Sequence, residues 1–301
     1  MNTKLTRRDM LRATGSLAAA SMLPAWAAAD DAPQKDDGSF YFFQLADTQF
    51  FWGDDPVGKW RSAIAQANRL QPDFVVVCGD LINRNGDAAK VDLEEDERRT
   101  RAYLDGAAKL DASIPLRNVA GNHDVCNVPT PETLAWYEKR FGPPWYAFTH
   151  KTAQFVVLES DLMKNPQGAP EAAERQLDWL KKTLATEMPD AVRQRIVFMH
   201  HPLCLKNLDE GEGYFLLPKK RRAELAELFR QSGVKTVFSG HYHGNAVVRD
   251  GDLEMVTTNG LAKTLRGDPL GFRIVRVGDD GVEHTFYAHE EVPENLKGHA
   301  R

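Results

Sequence analysis

Apolar residues in this chain gather into short continuous runs, and each run stops at a polar cluster. Residues 39–45, 74–78, 115–120, 195–199 and 234–239 have the length and the aromatic and β-branched content of buried strands. Between them, apolar positions recur at helical spacing over 59–70, 92–110, 131–141, 171–186 and 219–232. The second of these is so charged that an exposed helix is expected, and Pro131 marks the start of the third. Residues 145–149 and 154–159 read as a strand pair, and 162–170, with Asn165-Pro166 and Gly168, as a loop. An acidic insertion covers 205–217 and carries Tyr214 and Phe215 near its end. From 245 to 289, short apolar strands flank Asp250-Gly251 and Asp280-Gly281. Those turns predict hairpins of a second, partly antiparallel sheet. Alternating strands and helices place the chain in the α/β class.

The polar clusters are Asp47-Thr48-Gln49, Gly79-Asp80, Gly121-Asn122-His123-Asp124, His200-His201 and Gly240-His241-Tyr242-His243. Strand ends are where open α/β sheets bind ligands. Taken singly, each cluster has a plain explanation: an Asp caps the next helix, a His pair sits on the surface, a Gly-Asn makes a turn. All five fall at strand ends in a chain with nine histidines, and that coincidence points to one site. The donors are oxygen and nitrogen without sulfur, a set suited to Mn, Fe or Zn. They are too many for one ion. Two divalent metal ions sharing a carboxylate would use them, and such a pair can clamp both oxygens of a displacement at phosphorus.

Composition adds limits. The 301 residues are 42% hydrophobic and 27% charged, as in an ordinary globular protein with one large core. No segment approaches the roughly 18 apolar residues of a membrane span. Thr6-Arg7-Arg8-Asp9-Met10-Leu11, a weakly apolar run and then Ala27-Ala28-Ala29 follow the order of a twin-arginine export signal. The expected organisation is a signal over 1–29, a linker over 30–38, one domain over 39–290 and a tail over 291–301. The expected location is periplasmic or extracellular, reached through the twin-arginine export machinery. The chain carries −5 net, and removing the basic signal leaves it near −8. That balance disfavours nucleic acid and anionic lipid as partners, but not a phosphorylated substrate beside metal ions. Cys78, Cys126 and Cys204 form no disulfide framework. Three buried thiols are the plain reading, and a Cys126–Cys204 bridge stays open.

The clusters together resemble the five ordered motifs of the calcineurin-like metallophosphoesterases. Asp47-x-Gln49, Gly79-Asp80, Gly121-Asn122-His123-Asp124, His200 and Gly240-His241-x-His243 carry the resemblance, which spans nearly all of the domain. A narrower similarity is to the animal serine/threonine phosphatases with a calcineurin-like phosphoesterase domain. It rests on Asp47-Thr48-Gln49, Cys78-Gly79-Asp80-Leu81-Ile82, residues 121–133 and 238–246. The resemblance implies a four-layer αββα sandwich with ligands on loops at one edge. It implies that Asp47, Gln49, Asp80 and His243 surround a first metal, that Asp80 bridges, and that Asn122, His200 and His241 hold a second. His123 would face substrate as the proton donor, with Asp124 fixing its tautomer, and Arg84 would bind phosphate. His201 is not a ligand in this pattern. The implied reaction is in-line attack of a metal-bridging hydroxide on a phosphate monoester, in phosphoprotein or a small molecule. A phosphodiesterase acting on glycerophosphodiesters or cyclic nucleotides is the alternative, and a metal-bearing binding protein a remoter one. Two departures stand out. Gln49 occupies a position where the family places His, and its neutral oxygen favours Mn or Fe over Zn. Asn83 stands where the purple acid phosphatases place Tyr.

Overall fold

The structure, a computed structural model, describes residues 38–296. The expected signal, most of the linker and the last residues of the tail lie outside the described residues.

Eleven strands form two sheets among the described residues. In chain order they are β1 (Phe40–Leu45), β2 (Phe74–Cys78), β3 (Leu116–Val119), β4 (Tyr146–His150), β5 (Ala153–Val157), β6 (Gln194–Phe198), β7 (Val234–Ser239), β8 (Ala246–Asp250), β9 (Leu253–Thr257), β10 (Gly271–Gly278) and β11 (Gly281–Ala288). The first sheet runs β11-β10-β1-β2-β3 and the second β4-β5-β6-β7-β9-β8. Strands β1, β2 and β3 are mutually parallel, as are β5, β6, β7 and β9. The two Asp-Gly hairpins were expected to share one further sheet. They part instead: β8-β9 extends the second sheet, and β10-β11 joins the first through an antiparallel pairing with β1. A turn signal specifies its own hairpin but not the edge to which that hairpin adds.

Side-chain alternation builds the layers. Phe40, Phe42, Phe74 and Val76 face Phe155, Val157, Ile196, Phe198 and Phe238 across the gap between the sheets. Phe42 stacks on Phe74 at 4.7 Å and meets Phe155, Phe198 and Phe238 edge-on at 5.6–5.8 Å. The intervening residues Phe43, Leu45, Val75 and Val77 turn outward to a second core. There they meet α1 (Pro56–Leu70), α2 (Leu93–Ala107) and, past the single turn α3 (Asn122–Val125), α4 (Pro131–Phe141) through Trp60, Ile64, Tyr103 and Tyr137. On the far side, α6 (Pro170–Ala185) and α7 (Lys219–Gln231) pack Leu180, Leu184, Leu225 and Phe229 on the second sheet. A strand buried on both faces has no polar alternate position, which is why these segments read as continuous apolar runs. The result is the expected four-layer αββα order.

Local departures have local causes. Helix α2 is not simply exposed, because Asp96, Thr100 and Tyr103 are buried along one stripe. The expected loop over 162–170 contains two helical turns, α5 (Asp161–Lys164) and Pro166–Gly168. Two of their N–H groups find an acceptor in the preceding Glu159 carboxylate (2.7 and 2.8 Å). Past the expected domain end, Val292 and Leu296 pack on the first-sheet core, and Arg69 donates to the carbonyls of Pro293 and Glu294. All three cysteines are free. Cys204 lies against the Met255 sulfur at 3.4 Å and Cys126 reaches the Asn85 carbonyl, so the Cys126–Cys204 bridge does not form.

Candidate metal centre

The loops leaving β1, β2, β3, β6 and β7 all emerge at one edge of the sandwich and are laced together by their backbones. Asp47 N–H donates to the Gly79 carbonyl at 3.0 Å and Gln49 N–H to the Asp80 carbonyl at 2.8 Å. His241 N–H donates to the Asp47 carboxylate at 3.0 Å, and His123 N–H to the Asp80 carboxylate at 2.8 Å. Gly79 is required where it stands, since φ is +87° and a Cβ there would sit 2.3 Å from the His200 ring nitrogen. Asp47, Gln49, Asp80, His241 and His243 have φ of 53°, 31°, 53°, 66° and 52°. For a non-glycine residue that left-handed region costs roughly 1 kcal/mol or more. Five such residues converging at one sheet edge are a strained constellation held in place by the sandwich beneath it.

These turns aim two groups of donors at neighbouring points. Asp47, Asp80 and His243 offer ligand atoms within 4.8 Å of one another, and so do Asp80, His200 and His241. Asp80 belongs to both groups. His200 Nε2 lies 3.2 Å from an Asp80 oxygen and 3.1 Å from Asn122 Oδ1. His243 Nε2 lies 3.4 Å from an Asp47 oxygen. Gln49 donates its amide N–H to Asp80 at 3.0 Å and leaves its own Oε1 buried without a hydrogen-bond partner.

Backbone carbonyls settle the histidine tautomers, because a carbonyl only accepts. His200 Nδ1–H donates to the Cys78 carbonyl at 2.8 Å and His243 Nδ1–H to that of Lys263 at 2.8 Å. His241 Nε2–H donates to the Tyr214 carbonyl at 3.2 Å. Each imidazole therefore turns its other nitrogen toward the carboxylates as a lone-pair donor, the usual arrangement behind a metal-binding histidine. The electrostatics agree. Burial raises Asp47, partly offset by His243 and His200. Burial also opposes the charge on Asp80, yet His200 and His123 hold its carboxyl below the usual range. Asp80 and Asp47 push His200 up to about 9 against its own burial, so its Nε2 carries a proton near neutral pH that a metal ion would displace. A dry site with two carboxylates calls for positive charge, which divalent ions would provide. Donor chemistry, tautomers and the orphaned Gln49 oxygen all fit such ions.

His123 stands apart from the two groups. Its Nδ1–H donates to the Arg84 carbonyl at 2.7 Å, leaving Nε2 free to carry a proton. That corrects the expectation for Asp124. The Asp124 carboxylate does not touch the ring; it accepts the N–H groups of Gly121, Leu81 and Ile82 at 2.9–3.2 Å. It is an internal clamp joining the loops after β2 and β3, pushed up to about 8 by burial and by Asp80. Arg84 also differs from expectation. Its guanidinium is 4% exposed, ion-paired with Asp96 at 2.9 Å and stacked on Trp136, so it braces the His123 loop rather than meeting substrate. His201 is no ligand here: Ser160 Oγ engages its Nδ1 at 2.9 Å, and Nε2 lies 3.9 Å from Asp161.

Tyr214 was legible only as an aromatic in the insertion. The structure shows it bracing two candidate ligands, His241 through its carbonyl and Asn122 through its hydroxyl, which accepts from Nδ2 at 3.1 Å. The strap that carries it is tied down by Lys164, whose ammonium donates to the carbonyls of Gly213, Tyr214 and Leu216. The acidic side chains of this insertion mostly point elsewhere: Glu210 accepts Leu205 and Lys206 N–H, Glu212 accepts Lys219 N–H, and Asp209 pairs with Lys219.

Comparison with known proteins agrees with this geometry. The family model for calcineurin-like phosphoesterases matches residues 40–245. The serine/threonine-protein phosphatase CPPED1 of Bos taurus is 35% identical over 275 residues, covering 85% of this chain and 86% of that protein. A probable cyclic nucleotide phosphodiesterase of Rhodococcus erythropolis is 28% identical over 181 residues, or 59% of this chain and 53% of that one. A dimetal phosphatase from Danio rerio shares the fold with a TM-score of 0.57 at 18% identity, covering 83% of this chain and 99% of that one. The protein is a metal-dependent phosphatase, and the chain belongs to the calcineurin-like phosphoesterase family.

Proposed function

We propose that the protein is an exported dinuclear phosphomonoesterase acting on phosphoserine or phosphothreonine, with small phosphomonoesters as surrogate substrates. The observation that carries this reading is the pair of donor groups sharing Asp80. Asp47, Gln49, Asp80 and His243 would hold one ion, and Asp80, Asn122, His200 and His241 the other. When bound, two such ions supply an acidified water and neutralise charge on the phosphoryl oxygens. The chain supplies the rest. Asp80 would be shared by both ions, Asn122 and Gln49 would add neutral oxygens, and His123 Nε2 gives a proton to the leaving alkoxide. His123 gives that proton as the imidazolium, and the Arg84 carbonyl holds its Nδ1–H in place before and after the transfer. Mn or Fe(II) is proposed over Zn because an amide oxygen at position 49 suits a harder ion.

A phosphodiesterase using the same ions is the second reading, motivated by the partial similarity to the Rhodococcus protein. The monoester reading is preferred because the 35% identity to the phosphatase runs over 85% of this chain. The test is to purify the chain lacking residues 1–29, assay its metals by mass spectrometry, and compare a phosphopeptide with a bis-ester of the same phosphate. Faster turnover of the diester would overturn the monoester assignment.

A further inference from the structure

Two cations lie at the mouth of the metal centre without an acidic partner. Both come from the loop between β9 and β10, the loop whose Lys263 carbonyl holds His243. The exposed Arg266 guanidinium lies 4.4 Å from the Tyr242 ring centroid and 5.0 Å from that of Phe215. Phe215 in turn stands 5.5 Å from the His241 ring, so Arg266 is one aromatic ring away from a candidate ligand. On the other side, Lys263 Nζ lies 5.7 Å from the Trp52 ring, which meets His243 edge-on at 5.1 Å. Neither cation forms an ion pair among the described residues, and the Asp268 carboxylate beside the Arg266 stem accepts the Asn245 N–H at 2.7 Å.

Stacking engages the flat face of a guanidinium and leaves its in-plane N–H donors free, in the fork geometry that matches a carboxylate. The aromatic panels hold these charges in place beside the reacting centre without neutralising them. They do so on a chain whose net charge is −5. We propose that Arg266 and Lys263 form a subsite for carboxylates flanking the phosphorylated residue, so that the preferred substrate is an acidic phosphopeptide. This rests on the phosphatase reading above and narrows it from phosphoester to peptide context.

The test uses two phosphoserine peptides that differ only in Asp/Glu against Asn/Gln at flanking positions, with the metal-loaded protein. The wild type should show a lower KM for the acidic peptide at similar kcat. Combining Lys263→Glu and Arg266→Glu should raise the acidic-to-neutral KM ratio roughly tenfold, and Arg266→Lys should fall between. Binding of phosphonate mimics, followed by fluorescence anisotropy, separates the two layers of inference. An acidic preference in binding that the charge reversal abolishes, with no hydrolysis of either peptide, would sink the phosphatase reading and keep the subsite. Hydrolysis with a KM ratio unmoved by charge reversal would sink the subsite and keep the phosphatase.

Discussion

At the scale of single residues, the centre divides into groups that hold ions and groups that handle a proton. Asp80 is the hinge of that division. Asp80→Asn keeps the shape but removes the charge shared by both donor groups, and turnover should fall by more than about 100-fold. Activity within tenfold of wild type would remove the shared-carboxylate assignment. His241→Ala should lose metal, measured by mass spectrometry. His123→Ala should keep metal and lose about 10²–10⁴-fold in kcat, least with an activated leaving group that needs little protonation. Equal metal loss in the two variants would show the roles to be wrongly divided. The candidate ligands were legible in the sequence because each follows a run of apolar strand residues. Their supports were not. The Arg84, Cys78, Lys263 and Tyr214 carbonyls fix four imidazole tautomers, and a backbone carbonyl carries no mark in a sequence. Asp124 illustrates the limit: beside His123 in the chain, it turns the other way because three N–H groups offer a better-fitting cradle.

At the scale of elements, Lys164 ties down the end of the strap, residues 213–216, while Arg222 holds its earlier part through the Glu210 and Gly211 carbonyls. Burial lowers the Lys164 ammonium to about 8, while three carbonyls compete for its three hydrogens. Above that pH the neutral amine has two hydrogens for three acceptors, so the strap should loosen as pH rises from 7 to 9. The effect on global stability has the opposite sign. The unfolded lysine keeps its ordinary value of 10.5, so the unfolded state binds the proton more tightly. The folded state therefore gains stability from this group as pH rises between the two values. Limited proteolysis of the strap, expressed as the ratio of wild type to Lys164→Met, separates the two effects. The ratio should rise with pH toward one, and a ratio flat from pH 7 to 9 would remove Lys164 as the anchor. Helix and strand positions were readable from periodicity, and α4 falls where its proline and the Thr130 cap place it. The insertion was not readable, since its acidic composition suggests repulsion of anions whereas its two glutamates accept backbone N–H groups and Asp209 pairs with Lys219. Neither was the sheet to which each hairpin belongs, a matter of long-range packing.

At the scale of the whole molecule, the proposed twin-arginine signal and the proposed metal pair make one joint prediction. Twin-arginine export carries folded proteins, so ions could be loaded before export. Arg7→Lys with Arg8→Lys should leave an active, metal-loaded protein in the cytoplasm. Rerouting the chain unfolded through the general secretory pathway should yield protein holding Zn or Cu, which stand high in the affinity order, with low activity. Full Mn or Fe and full activity in the rerouted protein would separate the signal from the metal choice. The sheet order makes this a matter of timing. The first sheet is assembled from both ends of the domain: β1 is flanked by β2 on one side and on the other by β10, more than 220 residues later in the chain. Each donor group mixes the two sheets, joining Asp47 and Asp80 to His243, and Asp80 to His200 and His241. No half of the molecule therefore carries a complete set of three, and a chain still being synthesised passes through every length up to β10 with its first sheet unfinished. Competence to hold metal arrives near the end of synthesis, all at once, and a nascent or truncated chain presents its histidines and carboxylates to the surrounding ions as separate, weak binders.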